Sequence, residues 1–190
     1  MKKRLAIVLV VLAVMLAGAV NASAQLRLDI DINDPIYFGY TDTGTPKGLW
    51  NPYPYIPIPD AKLMYQFSLG PVNLGAGVRV FSLIIENFLY PELYAELDLK
   101  PFVLGLSVGG FAFLEFGLLS SLLTAEGINN LNGFYSVILP DLSVAYKVND
   151  VFRIGGGLFM IAPFTNSLGG VLANNVFAGY IKATFVIMFK

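Results

Sequence analysis

The last sixteen residues, "NVFAGYIKATFVIMFK" (175–190), constrain this chain more than any other stretch. Every second residue from Phe177 gives Phe177, Gly179, Ile181, Ala183, Phe185, Ile187 and Phe189, with no polar group among them. The complementary set, Val176 to Met188, is polar only around Lys182 and Thr184. A period of two specifies a strand whose side chains divide between two faces. A soluble sheet hides its apolar face on a core and wets a polar one. Here one face is wholly apolar and the other only sparingly polar, so the strand needs different surroundings.

The same alternation recurs along the chain. "AKLMYQFSL" (61–69), "VNLGAGVRV" (72–80), "ELYAELDLK" (92–100), "FVLGLSVGGFAFLEF" (102–116), "PDLSVAYKV" (140–148) and "VFRIGGGLFMI" (151–161) each set aliphatic and aromatic residues against Gly, Ser or charged ones. An eighth strand is expected near the start, where "LRLDIDI" (26–32) alternates and "PIYFGY" (35–40) continues it. Within that strand Asp34 falls on the apolar parity, and Pro35 cannot donate to a ladder. Two readings stand: a bulge at Asn33-Asp34 that shifts the register, or a strand that begins near Pro35.

Gly70-Pro71, Lys100-Pro101 and Val148-Asn149-Asp150 mark tight turns. Between them lie longer connections, roughly at 41–59, 85–91, 117–134 and 163–174. Long and short connections are therefore expected to alternate strictly, with both chain ends on the short-turn side. An even number of antiparallel strands with short turns at one end and longer loops at the other is the pattern of a transmembrane β-barrel. Each segment can supply the roughly 9–11 tilted residues that crossing needs.

Composition agrees with lipid. Charged residues are 13% of the chain, about half the usual share of roughly 25%, and mean hydropathy is +0.67. The N-terminus reads as a secretory signal peptide over 1–24: basic "MKKR", an apolar middle, then "AGAVNASAQ" with cleavage expected after Ala24. The chain 25–190 then forms one barrel domain in the outer membrane, with membrane lipid as its main partner. Without Lys2, Lys3 and Arg4 it carries nine basic residues against 13 acidic ones. That balance gives no basic surface for nucleic acid.

In strand number, turn pattern and terminal strand the chain resembles the small eight-stranded bacterial outer-membrane barrels, the OmpA/OmpX-like class. The resemblance implies an all-β, eight-stranded antiparallel up-and-down transmembrane barrel. It also implies that Phe185, Ile187 and Phe189 form a C-terminal signal read by the outer-membrane insertion machinery. In that class an aromatic residue usually ends the chain, whereas here Lys190 follows Phe189.

The chain has no His and no Cys. Ser-His-Asp triads, imidazole and thiolate metal sites and disulfides are thereby excluded, and no enzyme activity, metal or cofactor is expected. Gly155-Gly156-Gly157 lacks the Lys-Ser/Thr ending of a phosphate loop. Charges on the inward parity include Lys62, Arg79, Glu96, Asp98, Glu115, Asp141, Lys147, Arg153 and Lys182. In a narrow lumen they are expected to form an ion-paired structural network, because an unpaired buried charge is costly; the alternative is an acid–base pair or a cation site. Inward Gly75, Gly77, Gly105, Gly109, Gly155 and Gly157 either make room for Tyr and Arg opposite or line a small cavity. The expected loops, among them "GLWNPYPYIPIP" (48–59) and "FGLLSSLLTAEGI" (116–128), are apolar for loops. They suit packing over the mouth, contact with lipid, a surface partner or a small apolar ligand. The first expectation is an envelope or surface protein acting through these loops, and the alternative a small barrel that binds or passes small apolar molecules.

Overall fold

The computed structural model describes residues 24–43, 45–50, 57–83, 85–125, 132–165 and 168–189. The expected signal peptide up to Ser23, most of the proline-rich stretch 51–57 and segment 126–131 lie outside the described residues. The described chain forms nine strands and two short helices: β1 Ala24–Asp42, β2 Thr45–Trp50, β3 Ile58–Leu69, β4 Val72–Ser82, β5 Glu86–Leu99, β6 Phe102–Gly117, α1 Leu118–Ala125, β7 Gly133–Lys147, β8 Phe152–Pro163, α2 Leu168–Ala173 and β9 Val176–Phe189. Neighbours in sequence pair antiparallel around the wall, and β9 returns to β1 to close it.

The wall has eight places, as the alternation requires. β1 pairs with β9 along Leu26 to Tyr40, so β2 and β3 must share its other edge. There β3 lies opposite Ala24–Asn33 and β2 opposite Tyr37–Asp42. β2 therefore continues the place of β3 toward the outer end, inside what the sequence marked as a loop over 41–59.

Three expectations need correction. The connection expected at 85–91 is largely strand, since β4 ends at Ser82 and β5 begins at Glu86. Glu86, Phe88 and Tyr90 keep the inward parity of Glu92 and Glu96, so the pattern runs through Pro91. That proline is accommodated where the β5–β6 register shifts between Leu89 and Glu92. Strict alternation of long and short connections thus fails at this one place. β7 likewise starts at Gly133, well before the expected 140, with Pro140 inside it. The bulge in β1 exists but sits later than Asn33-Asp34: Pro35 pairs with Tyr180 and Tyr37 with Gly179, leaving Ile36 as the extra residue. The proline, which brings no donor, is the last residue before the shift. Beyond it the inward parity moves to Phe38 and Tyr40, in register with Ala178 and Val176, while Tyr37 stacks on Phe177 at 5.8 Å on the other face.

The polarity of the barrel is inverted relative to a soluble one. Inward Arg27 and Glu96 are 1% and 2% exposed, while outward Leu93 and Ile154 are 60% and 53% exposed. From the short turns up to the level of the bulges, the described outward positions carry no charge save Asp34 beside the β1 bulge, as the runs Leu26–Ile32, Leu63–Leu69, Phe102–Val108 and Ile181–Phe189 show at alternate residues. Aromatic pairs Phe102–Tyr146 (5.7 Å), Phe152–Phe185 (5.0 Å) and Tyr65–Phe67 (5.4 Å) ring the outer face near the short turns.

Candidate functional site

The lumen is the candidate site, and it has two storeys. In the inner one, nearest the short turns, Glu96 on β5 is a hub. It accepts from Arg27 Nη1 at 3.0 Å, from Arg153 Nη1 at 2.6 Å, from Asn73 Nδ2 at 3.1 Å and from the Tyr94 hydroxyl. Arg27 also forks onto Asp29 through two bonds of 2.7 Å and donates to Gln66 at 2.7 Å. Such a planar five-donor fork suits several acceptors at once. Lys147 pairs with Asp98 nearer the turns.

One level up, Arg79 on β4 is the second hub. It binds Asp60, Asp141 at 2.8 Å and Glu92 at 3.6 Å. Lys62 lies 3.5 Å from Asp31 and 3.9 Å from Glu92. The Tyr180 hydroxyl donates to Asp141, and Thr184 to Asp31. Lys182 reaches Ser143 Oγ at 3.4 Å and lies 5.9 Å from the Tyr180 ring centroid. Of the nine charges singled out from sequence, eight thus lie in or beside these clusters. Glu115 is buried farther out on β6, and its backbone N–H donates to Asn132 Oδ1 at 2.6 Å.

Tyrosines account for three of the six inward glycines. A side chain at Gly109 would meet the Tyr90 ring at 2.5 Å, and one at Gly157 would meet the Tyr180 hydroxyl at 2.6 Å. Gly105 faces Tyr94 at 3.7 Å and Ser143 Oγ at 2.9 Å. Gly77 and Gly155 instead lie against the backbone of neighbouring strands, and Gly75 against Met64. Gly105 borders a void of about 20 Å³ among the charges, room for roughly one water. None of the six lines the larger cavities above.

Those cavities form the outer storey. Phe81 and Phe159 come from β4 and β8, which stand opposite each other around the ring of eight. Their rings stack at 5.8 Å and 4° across the lumen, with the Arg79 guanidinium 5.4 Å from the Phe159 ring centroid. On one side of this stack is a cavity of about 400 Å³ lined by Phe88, Tyr90, Phe113, Tyr135, Val137 and Leu139. On the other is one of about 250 Å³ reaching Pro35, Phe38, Phe177 and Ala178. Both share Phe81, Leu83, Phe159 and Ile161. Tyr90 is fully buried here and its hydroxyl has no hydrogen-bond partner among the described residues. At the rim Glu86 accepts the Ser120 N–H at 2.9 Å, holding the first turn of α1 against the wall.

Sequence reasoning missed Asp60 and Glu86, which lay just beyond expected strand ends, and the aromatic cup. Extending the inward parity back from Lys62 to Asp60 and from Glu92 to Glu86 would have found both acids. The same extension passes through Tyr90 and Phe88, but no local pattern brings Phe81, Phe113 and Phe159 from three other strands around one cavity.

No protein-family model and no curated protein matches the sequence. Among solved structures the chain is similar to Neisserial surface protein A, at 8% identity over 87% of this chain and 98% of that one, with a TM-score of 0.42. It is also similar to Ail, the attachment invasion locus protein of Yersinia pestis, at 8% identity over 86% and 97%, with a TM-score of 0.33. By its own strand order and closure, the chain is an all-β, eight-place antiparallel barrel with a charged interior and an apolar exterior.

Proposed function

We propose that this chain is a non-enzymatic integral outer-membrane barrel, exported by residues 1–24, whose inner lumen is closed to ions and whose outer lumen binds a small apolar molecule. The outward face supports insertion in lipid, because hydrocarbon offers no hydrogen bonds and favours a closed sheet with an apolar exterior. The observation that carries the binding reading is the cup around the Phe81–Phe159 stack, an open cavity of about 400 Å³ with aromatic and aliphatic lining. That volume falls in the range of roughly 300–1,000 Å³ of small-molecule sites. The lining offers the ligand only apolar surface, so a ligand with an apolar body fits best.

A surface role through the outer loops is the second reading. Phe134 at 90% exposure and the exposed leucines of α1, Leu118, Leu119 and Leu122, favour it. Phe185, Ile187 and Phe189 are carried forward as the insertion signal.

The test is binding of a naphthylamine dye that brightens in apolar surroundings to refolded 25–190, with Phe88→Lys as the control. Glu115 lies directly across from Phe88 in register, so the introduced ammonium has a neighbouring carboxylate and the barrel should still fold. Saturable binding lost at least tenfold in that variant supports the cup. Equal binding by both proteins sinks it and leaves the loops as the working surface.

A further inference from the structure

The wall around β6 is poorly stitched at the level of the cup. Between β5 and β6, pairing stops at Leu89↔Leu114 and resumes at Glu92↔Gly109, so two residues of β5 face four of β6. Between β6 and β7 it stops at Gly110↔Ile138 and resumes at Ala112↔Phe134, so one residue of β6 faces three of β7. Two prolines flank the site, Pro91 on β5 and Pro140 on β7, and neither brings an N–H to a ladder. At its centre Gly110 has φ +112° and Phe111 has φ +66°. For a bulky residue such as Phe that is a strained backbone. β1 is also interrupted on both sides around Ile36, between its β3 and β2 pairings and at its β9 bulge, but no residue there has a positive φ.

The two faces of this seam differ in what they touch. Inside, Tyr90 and Phe113 lie 5.8 Å apart and line the cup. Outside, Phe111 is 42% exposed and packs edge-on against Phe164 at 5.0 Å. Gly109 to Phe113 stand seven to eleven residues beyond Phe102 at the short turn. A tilted strand needs about 9–11 residues to cross the hydrocarbon, which places the seam in the outer half of the bilayer. A closed barrel normally leaves no unpaired backbone facing lipid, so a double interruption there calls for a function.

We propose that the β5–β6–β7 seam is a lateral route by which small apolar molecules pass between the cup and the bilayer, with the Phe111–Phe164 pair as its outer leaf. The proposal rests on the reading of the cup as a binding site. It accounts for a pocket that is apolar above and ion-paired below: a ligand that cannot continue through the charged storey leaves sideways into lipid.

The experiment is timed photolabelling. A medium-chain alcohol bearing a diazirine is dissolved in vesicles containing the protein, flashed at increasing delays, and adducts on the inward cup residues Phe81 and Phe159 are counted by mass spectrometry. Phe111→Gly removes the outer ring and suits a positive φ, so it should fold. It is expected to speed labelling about tenfold without changing the plateau. Phe111→Cys with Phe164→Cys, joined by a short bismaleimide, is expected to slow labelling about tenfold, again at an unchanged plateau; the chain has no other Cys. A normal plateau with rates indifferent to both changes overturns the route alone and assigns access to the open mouth. No cup adducts at any delay, with protein shown to be inserted, overturn the binding reading and the route with it.

Discussion

The two storeys of the lumen are walled by the same strands and filled on opposite principles. In the inner one, Arg27, Arg79 and Arg153 hold acids from several strands, and the void among them is about 20 Å³. In the outer one, rings from opposite walls meet in the Phe81–Phe159 stack and leave about 400 Å³ beside it. Long flexible side chains with directional charges can reach across a narrow barrel and close on each other. Rigid rings on short stems cannot follow the curvature, so they touch at one place and leave space elsewhere. The same wall can therefore carry a plug and a cup. Which one forms depends on whether the inward residues are charged or aromatic.

The sharpest way to break the comparison is to remove a hub. Glu96→Ala leaves Arg27 and Arg153 buried together without their shared acceptor. It should lower stability by about 3–5 kcal/mol, the usual cost of stranding a buried charge, read as the midpoint of urea unfolding from lipid vesicles. A loss below about 1 kcal/mol would mean that water screens the inner storey and that it is no plug.

Next in size is the outer face. Leu106 on β6 is 50% exposed and opposes Ala95 and Leu142. Leu106→Arg should cost about 2–4 kcal/mol if the position meets hydrocarbon near the midplane, measured on the same vesicles. A neutral result would move the membrane away from this band and undo the assignment of inside and outside.

The cup should tolerate damage better. Phe→Ala in a closed core costs about 3–5 kcal/mol, but the Phe81 ring already borders open space. Phe81→Ala is expected to cost about 1 kcal/mol, near the value of an aromatic pair, while weakening dye binding severalfold. A cost as large as that of Glu96→Ala would show the stack to be a structural keystone and the comparison to be false.

Smallest of all, Phe189→Ala should leave the folded barrel's stability within about 1 kcal/mol and slow its assembly two- to threefold when the insertion machinery is supplied. Phe189 faces Leu26 across the closing seam, so an equal slowing in lipid without the machinery would reassign it to closure.

The sequence carried most of the fold, because the polarity of a strand face is a local property repeated every two residues. From it come the eight places in the wall, the three short turns, the apolar exterior and the inward parity of Lys62, Arg79, Glu96 and Arg153. Its errors fall where local signals are ambiguous. Pro91 looks like a loop residue and Pro140 like a strand start, yet both strands run through, Pro91 at the β5–β6 register shift and Pro140 in register with Val108. A proline at position 35 announced a bulge without fixing its place at Ile36.

Partner choice was beyond the sequence. Arg153 meets Glu96 57 residues away, and Thr184 meets Asp31 across 153. Such pairs are set by the register of every strand between them and by the closure of the ring, so no local pattern encodes them. The cup belongs to the same class. That Phe81 and Phe159 would stack across the lumen follows only from their strands standing opposite in a ring of eight, and the space beside them is what that geometry leaves unfilled.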